Sequence, residues 1–343
     1  MSKARTVLVV GGGAAGNAVT ILLRRAGLSV DLIEAKDDWN ATAGSGITLQ
    51  GNALRVLREL GIWEQVEASG SMQRPRLQQI LIEAVRSSGA SVRLATTAEI
   101  LDQDAEGVSV RFSDGTESRY DLLIAADGLG SATRAAIGIT EKPEPTGMAI
   151  WRIAAPRPQG VTRTDLAYGG PAYIAGYCPT SDTTLYAYVV EANRDRASIP
   201  AQSYADEMRR LTSAYGGHWP EITAHITDPA KVNYTWFDRM LVEGSWHRGR
   251  VVLVGDAVHC CPPTLAQGAA LSLEDAWVLA QMLAESGSWD DALLQAYYER
   301  RVTRVRPVVE ASVQIGQWQL DGVRDADVPG LMARTMTMLR DLP

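Results

Sequence analysis

Three glycines near the start of the chain have the spacing of a phosphate-binding turn. Gly11, Gly13 and Gly16 form a Gly-x-Gly-x-x-Gly run directly after the apolar segment 6–10. In such a run the first glycine permits a tight turn, the second lets the backbone approach a pyrophosphate, and the third lets helix and strand pack closely. Glu34 follows Gly16 by 18 positions and can accept hydrogen bonds from an adenosine ribose. The spacing predicts a dinucleotide site at a helix N-terminus.

Two aspartates each follow an apolar run typical of a buried strand. Asp127 follows the run 122–126 and precedes a helix start near Ser131. Asp256 follows the run 250–254 and precedes a Pro-Pro turn and the start of a long helix. Because ligands of open α/β sheets bind at the carboxyl ends of the strands, both carboxylates are candidates for ligand contact. The Asp127 segment taken alone is also a common strand-turn-helix with a polar tip.

The chain has too few histidines and cysteines, and not the right spacing, for a metal site or for disulfide chemistry. The chain has 4 histidines and 3 cysteines, of which Cys260 and Cys261 are neighbours. No spacing resembles a zinc site or a redox-active Cys-x-x-Cys, so we predict no metal site and no disulfide chemistry. His259 could act as a base, but a structural role is favoured, and the two neighbouring cysteines are expected to pack.

The composition excludes further function classes. The 343 residues are 46% hydrophobic and 21% charged, with a net charge of −7, as in a folded globular protein. An acidic chain is not expected to bind nucleic acid, which requires a basic surface. The uncharged run 6–23 superficially resembles a signal peptide or a short membrane anchor, but its glycine cluster would break a hydrophobic helix. No other stretch reaches roughly 18 apolar residues, the length of a membrane span. The few cysteines fit a reducing cytoplasm.

The elements that must position these residues alternate between strand and helix in the first third. A strand at 6–10, a helix at 14–25 and a strand at 29–33 predict a βαβ unit with a parallel sheet. From about residue 145, short alternating strands between Gly and Pro clusters predict an antiparallel sheet, and long helices follow from about residue 265.

Together these segments resemble the single-component, FAD-dependent aromatic hydroxylases of the para-hydroxybenzoate hydroxylase type. The glycine run with Glu34 occurs once and is joined by Gly-Ile-x-Leu-x-x-Asn-Ala at 46–53 and by Arg74-x-x-Leu77. Asp127-Gly128 follows, and Gly-Asp with Pro-Pro-x-x-x-Gln-Gly occupies 255–268. These pieces stand in the family's order.

The resemblance implies an α/β fold, in which a Rossmann-type FAD-binding domain contains an inserted, mainly antiparallel β substrate domain and is followed by C-terminal helices. The expected boundaries are 1–144 and 243–286 for the discontinuous FAD-binding domain, 145–242 for the substrate-binding sheet and 287–343 for the helical region. A monomer or homodimer is expected.

The resemblance also implies the residues that would contact FAD. Glu34 would hold the adenosine ribose, and the Ala98 backbone would meet the adenine. Arg74 would approach the diphosphate, and Asp256 would bind the ribityl chain. The start of the long helix would face the pyrimidine edge, although Ala266 stands where the family more often has glycine. The full expected set is Gly11, Gly13, Ala15, Gly16, Glu34, Ala35, Thr48, Arg74, Ala98, Asp127, Asp256, Ala266, Gln267, Gly268, Ala269 and Ala270.

The implied reaction is the hydroxylation of a small aromatic or heteroaromatic molecule. NADPH or NADH would reduce FAD, and the flavin would react with O2 to a C4a-hydroperoxide that transfers oxygen to the ring. No residue is assigned a catalytic role, because the cofactor carries the chemistry. The alternatives are a flavin-dependent epoxidase or halogenase on the same scaffold, and a catalytically silent flavin-binding protein.

Candidate substrate residues lie in the predicted antiparallel sheet. Tyr173 and Tyr177 share one face of a predicted strand, and Tyr186 and Tyr188 share one face of the next. If both faces point inward, four phenols line a cavity for a flat ring; otherwise they are half-buried sheet residues. Arg152 could pair with a substrate carboxylate or phenolate, or be a solvated charge.

The chain is short for this family before Arg74. The family has a further stretch there, including strands of the substrate sheet, whereas residues 70–73 connect the two helices directly. Either the protein lacks part of the pocket wall, or a segment is missing between Gly70 and Ser71 of the printed sequence. The second explanation is favoured because the flanking motifs are intact. It predicts a Cα spacing well above the ~3.8 Å of consecutive residues.

Overall fold

The structure is a computed structural model that describes residues 5–40, 46–70 and 73–343. The predicted break between Gly70 and Ser71 falls outside the described residues, because Ser71 is not among them.

The described strands and helices have the following bounds. The strands are β1 (Thr6–Val10), β2 (Ser29–Ile33), β3 (Ser91–Arg93), β4 (Ala98–Gln103), β5 (Val108–Phe112), β6 (Glu117–Tyr120), β7 (Leu122–Ala125), β8 (Glu144–Pro156), β9 (Asp165–Tyr168), β10 (Ile174–Pro179), β11 (Thr184–Ala192), β12 (Asn233–Leu241), β13 (His247–Arg248), β14 (Val251–Leu253) and β15 (His259–Cys260). The helices are α1 (Ala14–Arg25), α2 (Gly51–Glu59), α3 (Trp63–Ala68), α4 (Arg74–Ser87), α5 (Ala132–Ala136), α6 (Tyr204–Thr212), α7 (Trp219–Ala224), α8 (Gly268–Glu285), α9 (Asp291–Leu320) and α10 (Val328–Met338).

The first sheet is mostly parallel, in the order β13-β14-β7-β1-β2-β3, with β13 antiparallel at one edge. Val7, Leu8 and Val9 of the central β1 are fully buried, as expected for a strand covered on both faces. The predicted βαβ unit is confirmed with the predicted bounds of β1, α1 and β2. Because β1 lies between β2 and β7, the strand order reverses at its carboxyl end, which is where open α/β sheets bind ligands.

The second sheet is antiparallel, in the order β15-β12-β8-β11-β10-β9. Its central strand β8 has 13 residues, much longer than the short strands that the sequence predicts, and the sequence patterns did not predict β12. One face of this sheet, including Trp151, packs against α6 and α7. The fold is therefore mixed α/β, with a parallel and an antiparallel sheet. A smaller antiparallel sheet joins β4, β5 and β6.

A buried network of charges connects α8 and α9 to the end of β14. The Nε of Arg301 donates to Oδ1 of Asp275 over 2.7 Å, and its Nη1 donates to Oε2 of Glu274 over 3.1 Å. Arg304 also donates to Glu274, while Oδ2 of Asp275 is hydrogen-bonded to His259 Nε2 at 2.6 Å. Burial alone would raise the pKa of Asp275, but the neighbouring positive groups outweigh it and hold the pKa below its usual value.

The network predicts unequal effects for two arginines of the same helix. Arg301→Gln should lower the free energy of unfolding by about 3–5 kcal/mol, because it removes a buried positive charge that pairs with both Asp275 and Glu274. Arg306→Gln is the control: Arg306 pairs with Glu243 at the surface, so its loss should cost less than about 1 kcal/mol. Urea unfolding of both variants measures this, and equal losses would contradict the assigned role of the network.

Candidate functional site

A cavity of about 540 Å³ lies between the carboxyl end of the parallel sheet and one face of the antiparallel sheet. Residues from β1 to α1, from the turn after β14, and from the start of α8 line one side, and β8, β10 and β11 line the other. Of the residues predicted to bind FAD or substrate, those that line the cavity are Gly13, Ala15, Thr48, Arg74, Arg152, Tyr186, Tyr188, Asp256, Ala266, Gly268 and Ala269.

The glycine run connects β1 to α1 in a tight turn. Gly11 and Gly16 are closely packed, whereas Gly13 faces open space. Gly11 has φ +102°, and a Cβ there would lie 2.4 Å from the carbonyl oxygen of Ala126. A Cβ on Gly16 would lie 1.9 Å from the carbonyl oxygen of Gly11. A Cβ on Gly13 would meet no atom within 4 Å, so space is free in front of its backbone. This arrangement fits close approach of a diphosphate at Gly13.

Two helix N-termini open into the same cavity. Gly13 and Ala15 at the start of α1, and Gly268 and Ala269 at the start of α8, line it. Neither helix has a side-chain cap or an acidic residue in its first turn. Because the first N–H groups of a helix lack intrahelical partners and carry partial positive charge, both ends favour negatively charged ligand atoms.

Asp256 and Arg74 supply opposite charges to the cavity wall. Asp256 lies on a turn anchored on both sides, since Gly255 donates its N–H to Asp275 over 2.9 Å and Arg134 donates to the carbonyl of Ala257 over 2.8 Å. The Asp256 side chain is accessible from the cavity, but the surrounding protein raises its pKa, and the charges of His259 and Arg74 oppose that rise. Hydroxyl groups of a ligand would satisfy this carboxylate.

Ala266 has a backbone conformation that normally favours glycine. Its φ is +51° and its ψ is +39°, in the left-handed region, two residues before the first residue of α8. A non-glycine residue there costs roughly 1–2 kcal/mol. Alanine in place of the expected glycine therefore has two consequences. It strains the backbone, and it adds a methyl group at the cavity wall.

Other residues predicted to contact FAD stand behind or beside the cavity. Glu34 accepts the backbone N–H of Gly12 over 2.8 Å. Asp127 accepts the Ser131 hydroxyl over 2.5 Å and the Thr133 N–H at the start of α5 over 3.0 Å. Gln267 is fully buried and accepts from Asn52 over 3.0 Å. The predicted FAD residues that do not line the cavity are Gly11, Gly16, Glu34, Ala35, Ala98, Asp127, Gln267 and Ala270.

Three tyrosines and one arginine line the sheet side of the cavity, namely Tyr168, Tyr186, Tyr188 and Arg152. The rings of Tyr186 and Tyr188 lie 5.2 Å apart between centroids and are inclined by 31°. Burial raises the pKa of Tyr186 to about 12, although the charges of Arg152 and Arg74 act in the opposite direction. Tyr186 is therefore a neutral phenol at physiological pH, able to donate a hydrogen bond and to stack on a flat ring.

Tyr177, a candidate substrate residue, does not line the cavity, so the alternative of an ordinary sheet residue applies to it. Tyr177 pairs with Ala187 across the β10–β11 ladder, whereas Tyr188 pairs with Gly176 and Tyr186 with Cys178. Residues directly opposite each other in a ladder share a face, so Tyr177 points to the other side of the sheet. There its hydroxyl donates to Asp165 over 2.9 Å and the residue is only 4% exposed.

Tyr173 also differs from the prediction. It precedes β10 and packs against the apolar cluster of Met148, Ile150, Val190 and Phe237, without lining the cavity itself. Of the four tyrosines considered from the sequence, Tyr186 and Tyr188 line the cavity, and Tyr168 of β9, which sequence reasoning missed, lines it as well.

The C-terminal helices contribute wall residues that sequence reasoning missed. Ile315 and Gln319 of α9, and Val328 and Met332 of α10, line the cavity. The Oε1 of Gln319 is buried without a hydrogen-bond partner. No local pattern identifies these positions, because they reach the cavity through contacts between distant segments of the chain.

His259 is bonded inside the protein, and Cys260 and Cys261 remain protonated thiols. His259 is 1% exposed and bound to Asp275, and Cys260 and Cys261 line the cavity. Burial raises the pKa of Cys261 to about 12 and raises that of Cys260 as well, so both remain thiols. Among the described residues there is no group of three or more potential metal ligands, and no helix there is long and apolar enough to cross a membrane.

Known proteins are similar to this chain in sequence and in fold. The family model described as an FAD binding domain matches residues 4–76 and 71–312, two segments that overlap at 71–76. The Bacillus subtilis (strain 168) protein YetM is 31% identical over 358 residues, which cover 94% of this chain and 95% of that protein.

Two further similar proteins are enzymes whose names state their substrates. The 3-amino-4-hydroxybenzoate 2-monooxygenase PtnB3 of Streptomyces platensis is 29% identical over 352 residues, covering 90% of this chain and 87% of PtnB3. The crystal structure of a variant of 2-methyl-3-hydroxypyridine-5-carboxylic acid oxygenase superposes with a TM-score of 0.77 at 26% identity, covering 93% of this chain and 92% of that one.

The left-handed conformation of Ala266 predicts a stabilising substitution. Ala266→Gly should raise the free energy of unfolding by about 1 kcal/mol, because glycine adopts this φ without steric cost. Ala270→Gly, four residues later inside α8, is the matched control and should lower it by about 1 kcal/mol. Thermal and urea unfolding report both signs, and a loss of stability in both variants would refute the assigned backbone cost.

Proposed function

The chain belongs to the FAD binding domain family, and we propose that it is an FAD-dependent monooxygenase that hydroxylates an aromatic or heteroaromatic small molecule with NAD(P)H and O2. Its relatives include monooxygenases of a hydroxybenzoate and of a hydroxypyridine carboxylic acid. The two electrons of NAD(P)H and the oxygen molecule would yield one hydroxyl group on the ring and one molecule of water.

The observation that carries the proposal is the convergence of two uncapped helix N-termini on one cavity. The start of α1 suits the FAD diphosphate, and Arg74 adds a positive charge to the same wall. The start of α8 suits the flavin pyrimidine edge, which becomes negatively charged on reduction. One ligand that carries both a diphosphate and a redox-active ring accounts for both helix N-termini.

The remaining cofactor contacts follow from the chain's own residues. Glu34 has lone pairs beyond those used by backbone N–H groups, so it can accept the ribose hydroxyls beside the glycine run. Asp256 would accept from the ribityl hydroxyls, and the Ala98 backbone would meet the adenine. When bound, FAD supplies electron transfer from NAD(P)H and activation of O2.

The antiparallel sheet would hold the substrate against the flavin. Tyr186 and Tyr188 offer stacking surfaces and neutral phenols, and the apolar side chains of Met148, Ile150 and Phe237 help to exclude water from the reacting centre. We assign residues 1–144 and 243–286 to the FAD-binding domain, 145–242 to the substrate domain and 287–343 to the helical region. A monomer or homodimer is proposed.

The role of Asp256 is tested by FAD affinity. Asp256→Ala should weaken FAD binding by about tenfold or more, because an ionic hydrogen-bond acceptor for the ribityl chain is lost. Asp182→Ala, in the exposed turn between β10 and β11, should leave the affinity unchanged. Reconstitution titrations followed by flavin absorbance give both constants, and wild-type affinity in Asp256→Ala would reject the assigned contact.

The reaction is tested with FAD-loaded protein. Phenols, salicylates, pyridines and purines are screened, and at least one of them should stimulate NAD(P)H oxidation and yield a product heavier by one oxygen atom, measured by mass spectrometry. Aliphatic acids of similar size are the control and should do neither. FAD uptake without any stimulation would favour the silent flavin-binding alternative, and no FAD uptake would overturn the proposed function.

A further inference from the structure

Gln319, near the end of α9, carries a hydrogen-bond acceptor that the protein leaves unpaired at the cavity wall. Its Oε1 is buried and has no hydrogen-bond partner among the described residues. Of the buried side-chain acceptors without a partner in the described part of the chain, that of Gln319 is the one on a residue that lines the cavity. A buried carbonyl oxygen without a partner destabilises the folded protein, so a ligand that supplies a donor there would gain a strong contact.

The neighbouring wall residues of the C-terminal helices are apolar. Ile315 lies one turn before Gln319 on the same face of α9, and Val328 and Met332 belong to α10. None of these three side chains can donate a hydrogen bond. The surroundings of the amide within this wall therefore do not satisfy it, and the open side is the cavity.

The position of Gln319 along α9 places it on the substrate side of the cavity. The carbonyl of Ser312, also on α9, accepts the Thr264 hydroxyl over 3.0 Å in the turn that leads to α8 and to the proposed flavin edge. Gln319 lies seven residues further, about 10 Å along the helix. The adjacent Leu320 packs against the apolar cluster that contains Met148 of β8. The unpaired acceptor therefore lies beside the antiparallel sheet and away from the start of α8.

We propose that Gln319 determines substrate specificity by accepting a hydrogen bond from an N–H or O–H group on the aromatic ring system of the substrate. This role presupposes the proposed monooxygenase function, which identifies the ligand of the cavity, and it adds one contact of that ligand. A ring N–H and a ring O–H can each donate to the Oε1 of Gln319. A ligand without a donor leaves this oxygen unpaired inside the complex and binds less tightly.

The first test compares pairs of ligands with nearly equal shape on the FAD-loaded protein. Indole should bind about three- to tenfold more tightly than benzofuran, because only indole carries an N–H. Phenol should exceed fluorobenzene by a similar factor if the acceptor takes an O–H. Isothermal titration calorimetry measures all four affinities. A preference within either pair supports the proposal, whereas equal affinities within both pairs, or no binding of indole and phenol, would overturn it.

A variant of similar shape assigns the preference to this side chain. Gln319→Met removes the amide but keeps the length of the side chain, so the preference for indole or phenol should fall by about three- to tenfold. Gln317→Met is the matched control on the same helix, because Gln317 is exposed and donates to Asp321 over 2.8 Å. It should leave both preferences unchanged. A preference that persists in Gln319→Met would refute the assignment.

Thermal unfolding without aromatic ligand distinguishes an amide that serves a ligand from one that stabilises the fold. Gln319→Met should leave the melting temperature unchanged or raise it by about 1–4 °C, because it removes a buried polar atom that has no partner. A loss of several degrees would contradict the proposed role. This measurement needs no FAD, so absence of FAD uptake by the wild-type protein would reject the proposed function separately.

Discussion

The carboxylate of Asp275 holds together the part of the structure on which the site depends. One of its oxygens accepts from the Gly255 N–H and contacts His259, and the other accepts from Arg301. A buried carboxylate is tolerated only when such partners replace water, so the turn after β14, α8 and α9 must keep their relative positions. Asp256 and the N-terminus of α8 consequently enter the cavity at a fixed place.

The chemistry of the cavity follows from backbone dipoles as much as from side chains. The starts of α1 and α8 present N–H groups that no side chain caps, and Gly13 leaves open space in front of the first of them. A ligand with negative charge at two separated points matches this arrangement better than one with a single anionic group. The protein supplies binding, orientation and exclusion of water, and the cofactor supplies the redox chemistry.

The two faces of the antiparallel sheet have different tasks. One face carries Trp151 and Tyr177 into a core with α6 and α7, and the other carries Arg152, Tyr186 and Tyr188 to the cavity. Because side chains alternate along each strand, the pairing register decides which residues meet the ligand. The same alternation of side chains places the guanidinium of Arg152 next to the rings of Tyr186 and Tyr188.

Local patterns in the sequence determined the βαβ unit, the glycine turn and the acidic residues at strand ends, because the spacing of glycines and apolar residues acts over a few neighbouring positions. Only the tertiary structure decided that Tyr177 leaves the cavity, since its orientation depends on which residue of β11 it opposes. The same holds for Gln319 and Met332, which reach the wall through helices far along the chain. The left-handed conformation of Ala266 is likewise a feature of the structure that no helix or strand propensity encodes.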